Sequence, residues 1–136
     1  MQNLSRRLEM AKKKIVSSKA PSAIGPYSQA IEVDGFVFTA GQIGIDPQTG
    51  QLVDGIEAQA ERALMNIKAV LEAAGCTMND VVKTTIFMVD IADFPKVNAI
   101  YEKFFDEPYP ARSTVAVAAL PKGALIEIEV VARRRA

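Results

Sequence analysis

The sequence predicts an α+β domain, a mixed β-sheet with two helices packed on one face. Three observations predict it. Strand-like runs outnumber helical ones, tight-turn signals join strands near both ends of the chain, and only two segments carry the apolar rhythm of a helix. The 136 residues suffice for one hydrophobic core and not for two. Residues 1–13 read as an N-terminal extension and residues 14–136 as the single domain.

Taken in order, Lys14 to Ser17 forms a short strand that stops before Pro21. Ser28 to Val33 and Phe36 to Ala40 flank Asp34-Gly35, the pairing that favours a tight antiparallel hairpin. A second turn follows at Asp46-Pro47-Gln48-Thr49-Gly50. From about Gly55 to Ala74, Ile56, Ala60, Ala63, Leu64, Ile67, Val70, Leu71 and Ala74 recur at three- and four-residue steps and define one apolar helical face. Asp54 with Glu57 resembles a capping box at its start, and Gly75 suits its end. Val81 to Val89 is rich in β-formers and apolar enough for a central strand. A second helix begins after Asp93, turns Val97, Ile100, Tyr101, Phe104 and Phe105 inward, and ends before Pro108 and Pro110. Strands at Ser113 to Ala118 and Leu125 to Ala132 complete the chain around the turn Pro121-Lys122-Gly123.

The order is therefore β-β-β-α-β-α-β-β. With both helices on one face, the other face of the sheet is left uncovered. Such a face is either polar or covered by a partner, and self-association is the expectation.

Composition narrows the chemistry. Sixteen basic and sixteen acidic residues cancel, so the chain lacks the electrostatic footprint of a general nucleic-acid binder. One cysteine excludes an intrachain disulfide framework, and the absence of histidine removes the commonest metal ligand and the usual hydrolytic triads. Acid–base work near neutral pH then falls to a carboxylate, a tyrosine, a lysine or bound water. No apolar run is long enough to span a bilayer. The basic first fourteen residues lack a signal-peptide core, so a cytoplasmic location is the default. Arg6, Arg7 and Lys12 to Lys14 leave open an organelle-targeting segment, against the alternative of a plain frayed extension with Met10 as a second start. The basic residues at both chain ends read as solvated tails.

Several residues have side chains suited to chemistry, each with a plainer alternative. Arg112, in Tyr109-Pro110-Ala111-Arg112-Ser113, offers a planar fork for a carboxylate, or is a surface salt bridge. Alternation sets Glu127 and Glu129 on the face opposite Ile126, Ile128 and Val130. That face is wet, or else covered by a partner that desolvates the acids and prepares one for proton transfer. Gly25-Pro26 makes a rigid bend that aims Tyr27, for packing or for a ligand. Gly41, in Thr39-Ala40-Gly41-Gln42-Ile43, lets a ligand approach the backbone or marks a bulge. Asn98 is a candidate on the second helix or ordinary helix surface, and Cys76 reads as a small buried filler.

Together these segments form a pattern: A-P-S-A-I-G-P-Y-S-Q-A at 20–30, T-A-G-Q-I at 39–43, V-V-K-T-T-I-F at 81–87, V-N-A-I-Y-E-K-F-F at 97–105, Y-P-A-R-S-T-V at 109–115 and L-P-K-G-A-L-I-E-I-E at 120–129. The pattern closely resembles the RidA family, also called YjgF or L-PSP endoribonuclease, from about Lys14 to Arg133. The resemblance implies a chorismate-mutase-like α+β fold, a homotrimer with ligand clefts between subunits, and hydrolysis of 2-iminopropanoate and 2-iminobutanoate to 2-keto acids and ammonia. Such imines are products of pyridoxal-phosphate-dependent dehydratases. It implies no cofactor, while the composition argues against a protein-bound metal, a nucleic-acid partner and a membrane.

By motif position, Arg112 is similar to the arginine that clamps the substrate carboxylate, and Glu127 to the acid that activates water and handles protons. Tyr27 resembles a cleft-lining tyrosine and Asn98 the family's helix asparagine, while Gly41 and Thr114 hold positions whose backbone groups face the ligand. Two positions depart from the pattern: Ala40 stands where relatives often have serine, and Thr114 where many have cysteine. The first removes a hydroxyl contact, and the second argues against a thiol mechanism. The competing readings are a non-enzymatic small-carboxylate binder or chaperone and, third, an RNA-cleaving translation inhibitor.

Overall fold

A computed structural model describes residues 11–135, and its hydrogen bonds assemble seven strands into one mixed sheet. The strands are β1 (Lys13–Ile15), β2 (Ala30–Val33), β3 (Phe36–Thr39), β4 (Gln42–Ile43), β5 (Val81–Met88), β6 (Ala111–Ala116) and β7 (Ile126–Arg133). Helix α1 (Ile56–Ala73) precedes β5, and α2 (Phe94–Tyr101) lies between β5 and β6. The sheet order is β1-β2-β3-β7-β5-β6, with β4 also paired to β7. All neighbours are antiparallel except β5 and β6, which are parallel and therefore need the crossover that α2 supplies. The fold is the expected α+β arrangement with a mixed sheet. The reading of residues 1–13 as an extension falls largely on residues 1–10, outside the described residues.

Local chemistry accounts for the elements. Asp34 and Gly35 both adopt positive φ, at 52° and 79°, giving the two-residue turn that sets Val33 opposite Phe36. The eight apolar residues of the α1 stripe are all buried against the sheet, with Ala60, Ala63, Leu64, Ile67, Val70 and Leu71 fully so. At the end of α1 the Cys76 amide donates to the Leu71 carbonyl at 2.8 Å and the Gly75 amide to that of Glu72 at 3.0 Å. Gly75 supplies the positive φ that this pair of bonds requires. The side chains of β5 and β7 that face the helices, Thr84, Ile86, Met88, Ile126 and Ile128, form the centre of the core.

The sequence expectations need five corrections. The strand after the hairpin does not end once but restarts as β4, so the order gains a two-residue strand. Residues 40 and 41 bulge between Thr39, which bonds to Val130, and Gln42, which pairs with Ile128. No capping box forms at α1, because Gly55 occupies the cap position and makes no side-chain bond. Helix α2 ends at Tyr101, since the next amides turn back to carbonyls three residues earlier: Lys103 to Ile100 and Phe104 to Tyr101. Strand β6 starts at Ala111, which places Arg112 inside the strand. Finally, the C-terminal arginines are not merely a solvated tail. Arg134 pairs with buried Glu32 at 3.1 Å, Arg135 with buried Asp80 at 2.9 Å, and Arg133 lies 4.6 Å over the Phe36 ring.

Candidate active site

Strand alternation and helix periodicity meet at Arg112. In the parallel register Arg112 lies opposite Thr84, and Thr84 points into the core beneath the helices. Arg112 therefore leaves β6 on the helix side, where α2 presents Phe94, Asn98 and Tyr101 at spacings of four and three residues on one stripe. The guanidinium carbon is 5.0 Å from the Phe94 ring centroid and 4.7 Å from that of Tyr101. Its Nη1 donates to Asn98 Oδ1 at 2.8 Å. Among the described residues no carboxylate lies within ion-pair distance of Arg112. An arginine held by two rings and an amide keeps its charge and most of its fork available. The open cleft beside it measures about 380 Å³ and is lined by Asn98, Tyr101, Glu102, Tyr109, Pro110 and Arg112.

Beneath the arginine, the Tyr101 hydroxyl and Thr84 Oγ1 form a 2.9 Å hydrogen bond in the core. Burial pushes the Tyr101 phenol above its ordinary pKa, while Thr84 and Arg112 pull it partly back. The sequence reading missed this Phe94–Tyr101 cradle and assigned Tyr101 to the core alone. The signal was the spacing of Phe94, Asn98 and Tyr101 itself.

Glu127 occupies the other face of the sheet. It alternates with Ile126 and Ile128, which are fully buried on the helix side, and lies opposite Phe87 on β5 and Ile43 on β4. Its carboxyl folds over the Gly41 backbone: a Cβ placed at residue 41 would meet Glu127 Cδ at 2.6 Å and Oε2 at 2.8 Å. Burial pushes the Glu127 carboxyl above its ordinary pKa, and the neighbouring Glu129 carboxylate raises it further. The bulge thus seats Glu127 on a glycine that has no side chain in the way.

Within one chain, Arg112 gathers Asn98 on one side of the sheet while Glu127 gathers Gly41 on the other. Thr114 stands two residues beyond Arg112 on the same side of β6. Its hydroxyl oxygen is buried without a hydrogen-bond partner among the described residues. Ala40 is half-buried in the bulge, its amide bonded to the Gln29 carbonyl at 2.9 Å. Tyr27 sits on an exposed loop, its hydroxyl 3.4 Å from the Ile24 amide, and is not among the residues lining the cleft beside Arg112. That loop is anchored by buried Gln29, which accepts from the Ser17 amide at 2.6 Å and donates to the Pro21 carbonyl at 2.7 Å.

The described residues contain no cluster of histidine, cysteine, aspartate and glutamate able to hold a metal ion. None of their helices is long and apolar enough to cross a membrane.

Comparison with known proteins agrees with this fold. The family model described as Endoribonuclease L-PSP matches residues 17–134. The chain is 54% identical over 119 residues to a 2-iminobutanoate/2-iminopropanoate deaminase of Homo sapiens, covering 87% of each protein. It is 51% identical over 126 residues to the protein of that name from Salmonella typhimurium, covering 90% of this chain and 98% of the relative. The crystal structure of RidA from the Antarctic bacterium Psychrobacter sp. PAMC 21119 superposes with a TM-score of 0.87 at 48% identity, covering 89% of this chain and 98% of that one.

Proposed function

This chain belongs to the Endoribonuclease L-PSP family, the RidA/YjgF proteins, and on that footing we propose that it hydrolyses 2-iminopropanoate and 2-iminobutanoate to 2-keto acids and ammonia. The observation that carries the reading is Arg112: a cation with no carboxylate partner among the described residues, held flat beside a small cleft, fits the carboxylate of a short imino acid.

The reaction asks little of the protein. The imine carbon is already electrophilic, so water adds to C=N without a nucleophilic triad. Glu127 as carboxylate takes a proton from the attacking water and passes it to the imine nitrogen, giving a carbinolamine. It then takes the carbinolamine hydroxyl proton and passes it to nitrogen as the C–N bond breaks. Ammonia leaves and the carbonyl forms. A carboxyl whose pKa is raised by burial suits that exchange better than an ordinary one. Arg112 fixes the substrate for attack. Asn98 orients Arg112, and the unpartnered Thr114 hydroxyl is a further group for the ligand. Gly41 seats Glu127, Ala40 shapes the bulge beside it, and Tyr27, which does not line the Arg112 cleft of its own chain, lines that of a neighbouring subunit from its exposed loop.

Arg112 and Glu127 point to opposite sides of the sheet, so one substrate reaches both only where two copies meet. This supports clefts shared between subunits of a homotrimer, with the uncovered sheet face and exposed β6 as contact surface. A cytoplasmic location fits substrates made by dehydratases acting on serine and threonine. A pure carboxylate binder is the second reading, since Arg112 alone would serve it; such a protein gains nothing from Glu127. RNA cleavage ranks third in a chain without histidine.

The test generates 2-iminobutanoate in situ from threonine with a dehydratase, lets semicarbazide compete for the imine, and follows keto-acid release. Acceleration by the wild-type protein that is lost in Arg112→Ala and in Glu127→Gln supports the enzyme and both roles. Acceleration lost only in Arg112→Ala keeps the enzyme and removes Glu127 as the proton carrier. No acceleration by folded protein that still binds 2-oxobutanoate leaves the binder.

A further inference from the structure

An exposed arginine samples many rotamers, and ordering it on a ligand costs free energy each time. Arg112 avoids most of that cost, and the groups responsible lie beneath it. The Tyr101 ring supports the guanidinium at 4.7 Å yet is itself 96% buried, packed on Phe105 with ring centroids 4.5 Å apart. Its hydroxyl is engaged in the core, sharing a 2.9 Å hydrogen bond with Thr84 Oγ1. Thr84 has no exposed surface and lies directly opposite Arg112 in the sheet register.

A phenylalanine and a valine would fill these two sites with the same shape and no polar atoms. Two hydroxyls in the core that satisfy only each other do what apolar packing cannot: they fix the rotation and depth of the ring. The strand that carries Arg112 and the strand that anchors its platform are hydrogen-bonded neighbours, so ring and guanidinium share one rigid frame.

We propose that Tyr101, latched by Thr84, is a positioning residue for Arg112, setting the plane in which the guanidinium meets a substrate carboxylate. The inference rests on the deaminase reading. Tyr101 acts through Arg112, so its loss weakens carboxylate binding in substrate and product alike and leaves the proton transfers in place.

The experiment measures KM and kcat for 2-iminobutanoate, and Ki for 2-oxobutanoate, in Tyr101→Leu, Tyr101→Phe, Thr84→Val and the double variant Thr84→Val/Tyr101→Phe, with Arg112→Ala as reference. Tyr101→Leu removes the platform and is expected to raise KM and Ki together by about tenfold, with kcat within about twofold of wild type. Tyr101→Phe and Thr84→Val keep the ring but lose the latch, and each is expected to raise both constants by about threefold. The double variant should be no worse than either single, since all three lose the same bond. If Tyr101→Leu does not fold, the latch variants carry the test. KM and Ki unchanged in the latch variants, or kcat falling at constant KM, overturns the proposal. No turnover of 2-iminobutanoate by the folded wild-type protein sinks the deaminase reading itself, and an Arg112→Ala variant with wild-type kinetics removes Arg112 as the carboxylate clamp and the positioning role with it. Loss of activity in Arg112→Ala alongside wild-type Tyr101 variants sinks only the positioning role.

Discussion

The Glu127 carboxyl lies where a side chain on Gly41 would begin, with its Cδ 2.6 Å from the position of a Cβ at residue 41. The bulge between β3 and β4 brings that backbone under the acid, and the missing side chain lets the carboxyl fold down into partial burial. The glycine and the glutamate are one device, separated by eighty-six residues of sequence.

Gly41→Ala should therefore act on catalysis through Glu127. The obstructing atoms are the end of a flexible side chain, so the carboxyl moves and the fold survives, at a cost of about 1 kcal/mol. If Glu127 is the proton carrier, displacing it should lower kcat roughly a hundredfold. In a Glu127→Gln background the same substitution should cost little more, because the group it displaces no longer transfers protons. Equal kcat losses in both backgrounds, measured in the semicarbazide competition assay, would show that Gly41 matters for another reason.

The raised Glu127 pKa predicts a pH signature with a definite sign. Between the unfolded carboxyl value of about 4.3 and the higher folded value, the native chain binds more protons than the unfolded one. The contribution of Glu127 to stability is thus fully present at acid pH and declines as pH rises through that window. Glu127→Gln should unfold at higher temperature than wild type at neutral pH, the advantage shrinking towards pH 3. A constant gap across that range in thermal unfolding would contradict the shift.

Glu129 supplies the second part of the same shift, after burial. Glu129→Gln removes a like charge and should let Glu127 ionise at lower pH. If Glu127 works as the ionised base, the acid limb of the pH–kcat profile moves to lower pH in this variant. A limb that stays in place points to some other titrating group.

Thr114 separates binding from stability. Its buried hydroxyl lacks a partner, so Thr114→Val should leave the unliganded chain as stable as wild type or more stable by about 1 kcal/mol. If the hydroxyl serves the ligand, KM should nonetheless rise several-fold. A variant that is both less stable and kinetically unchanged would assign Thr114 to packing.

Much of this was legible in the sequence, for physical reasons. The stripe from Ile56 to Ala74 has one periodicity and one solution, and Asp34-Gly35 admits few turns, so α1 and the first hairpin fall where those patterns require. Alternation through Ile126, Glu127, Ile128 and Glu129 was enough to put both acids on the face away from the helices. What one-dimensional patterns do not carry is cross-strand register. That Thr84 stands opposite Arg112, and that Gly41 lies under Glu127, depends on pairings between segments far apart in the chain. The C-terminal arginines looked like a solvated run for the same reason, because Glu32 and Asp80 become their neighbours only once the sheet closes.

The opposite orientation of Arg112 and Glu127 gives the assembly reading its sharpest test. If each cleft takes its arginine from one subunit and its glutamate from the next, Arg112→Ala and Glu127→Gln chains complement each other. In a cyclic trimer of mixed composition, one junction of three joins an intact arginine to an intact glutamate. Random assembly from equal amounts puts about three-quarters of the trimers in mixed form, so about a quarter of wild-type activity should return when the two inactive variants are co-expressed. The mixed trimers can be isolated through two different affinity tags before assay, which establishes that exchange took place. Activity in that fraction requires a cleft built from two chains. Its absence from verified mixed trimers would confine the chemistry to one side of one sheet, where Arg112 stands without Glu127 and the binder becomes the better account.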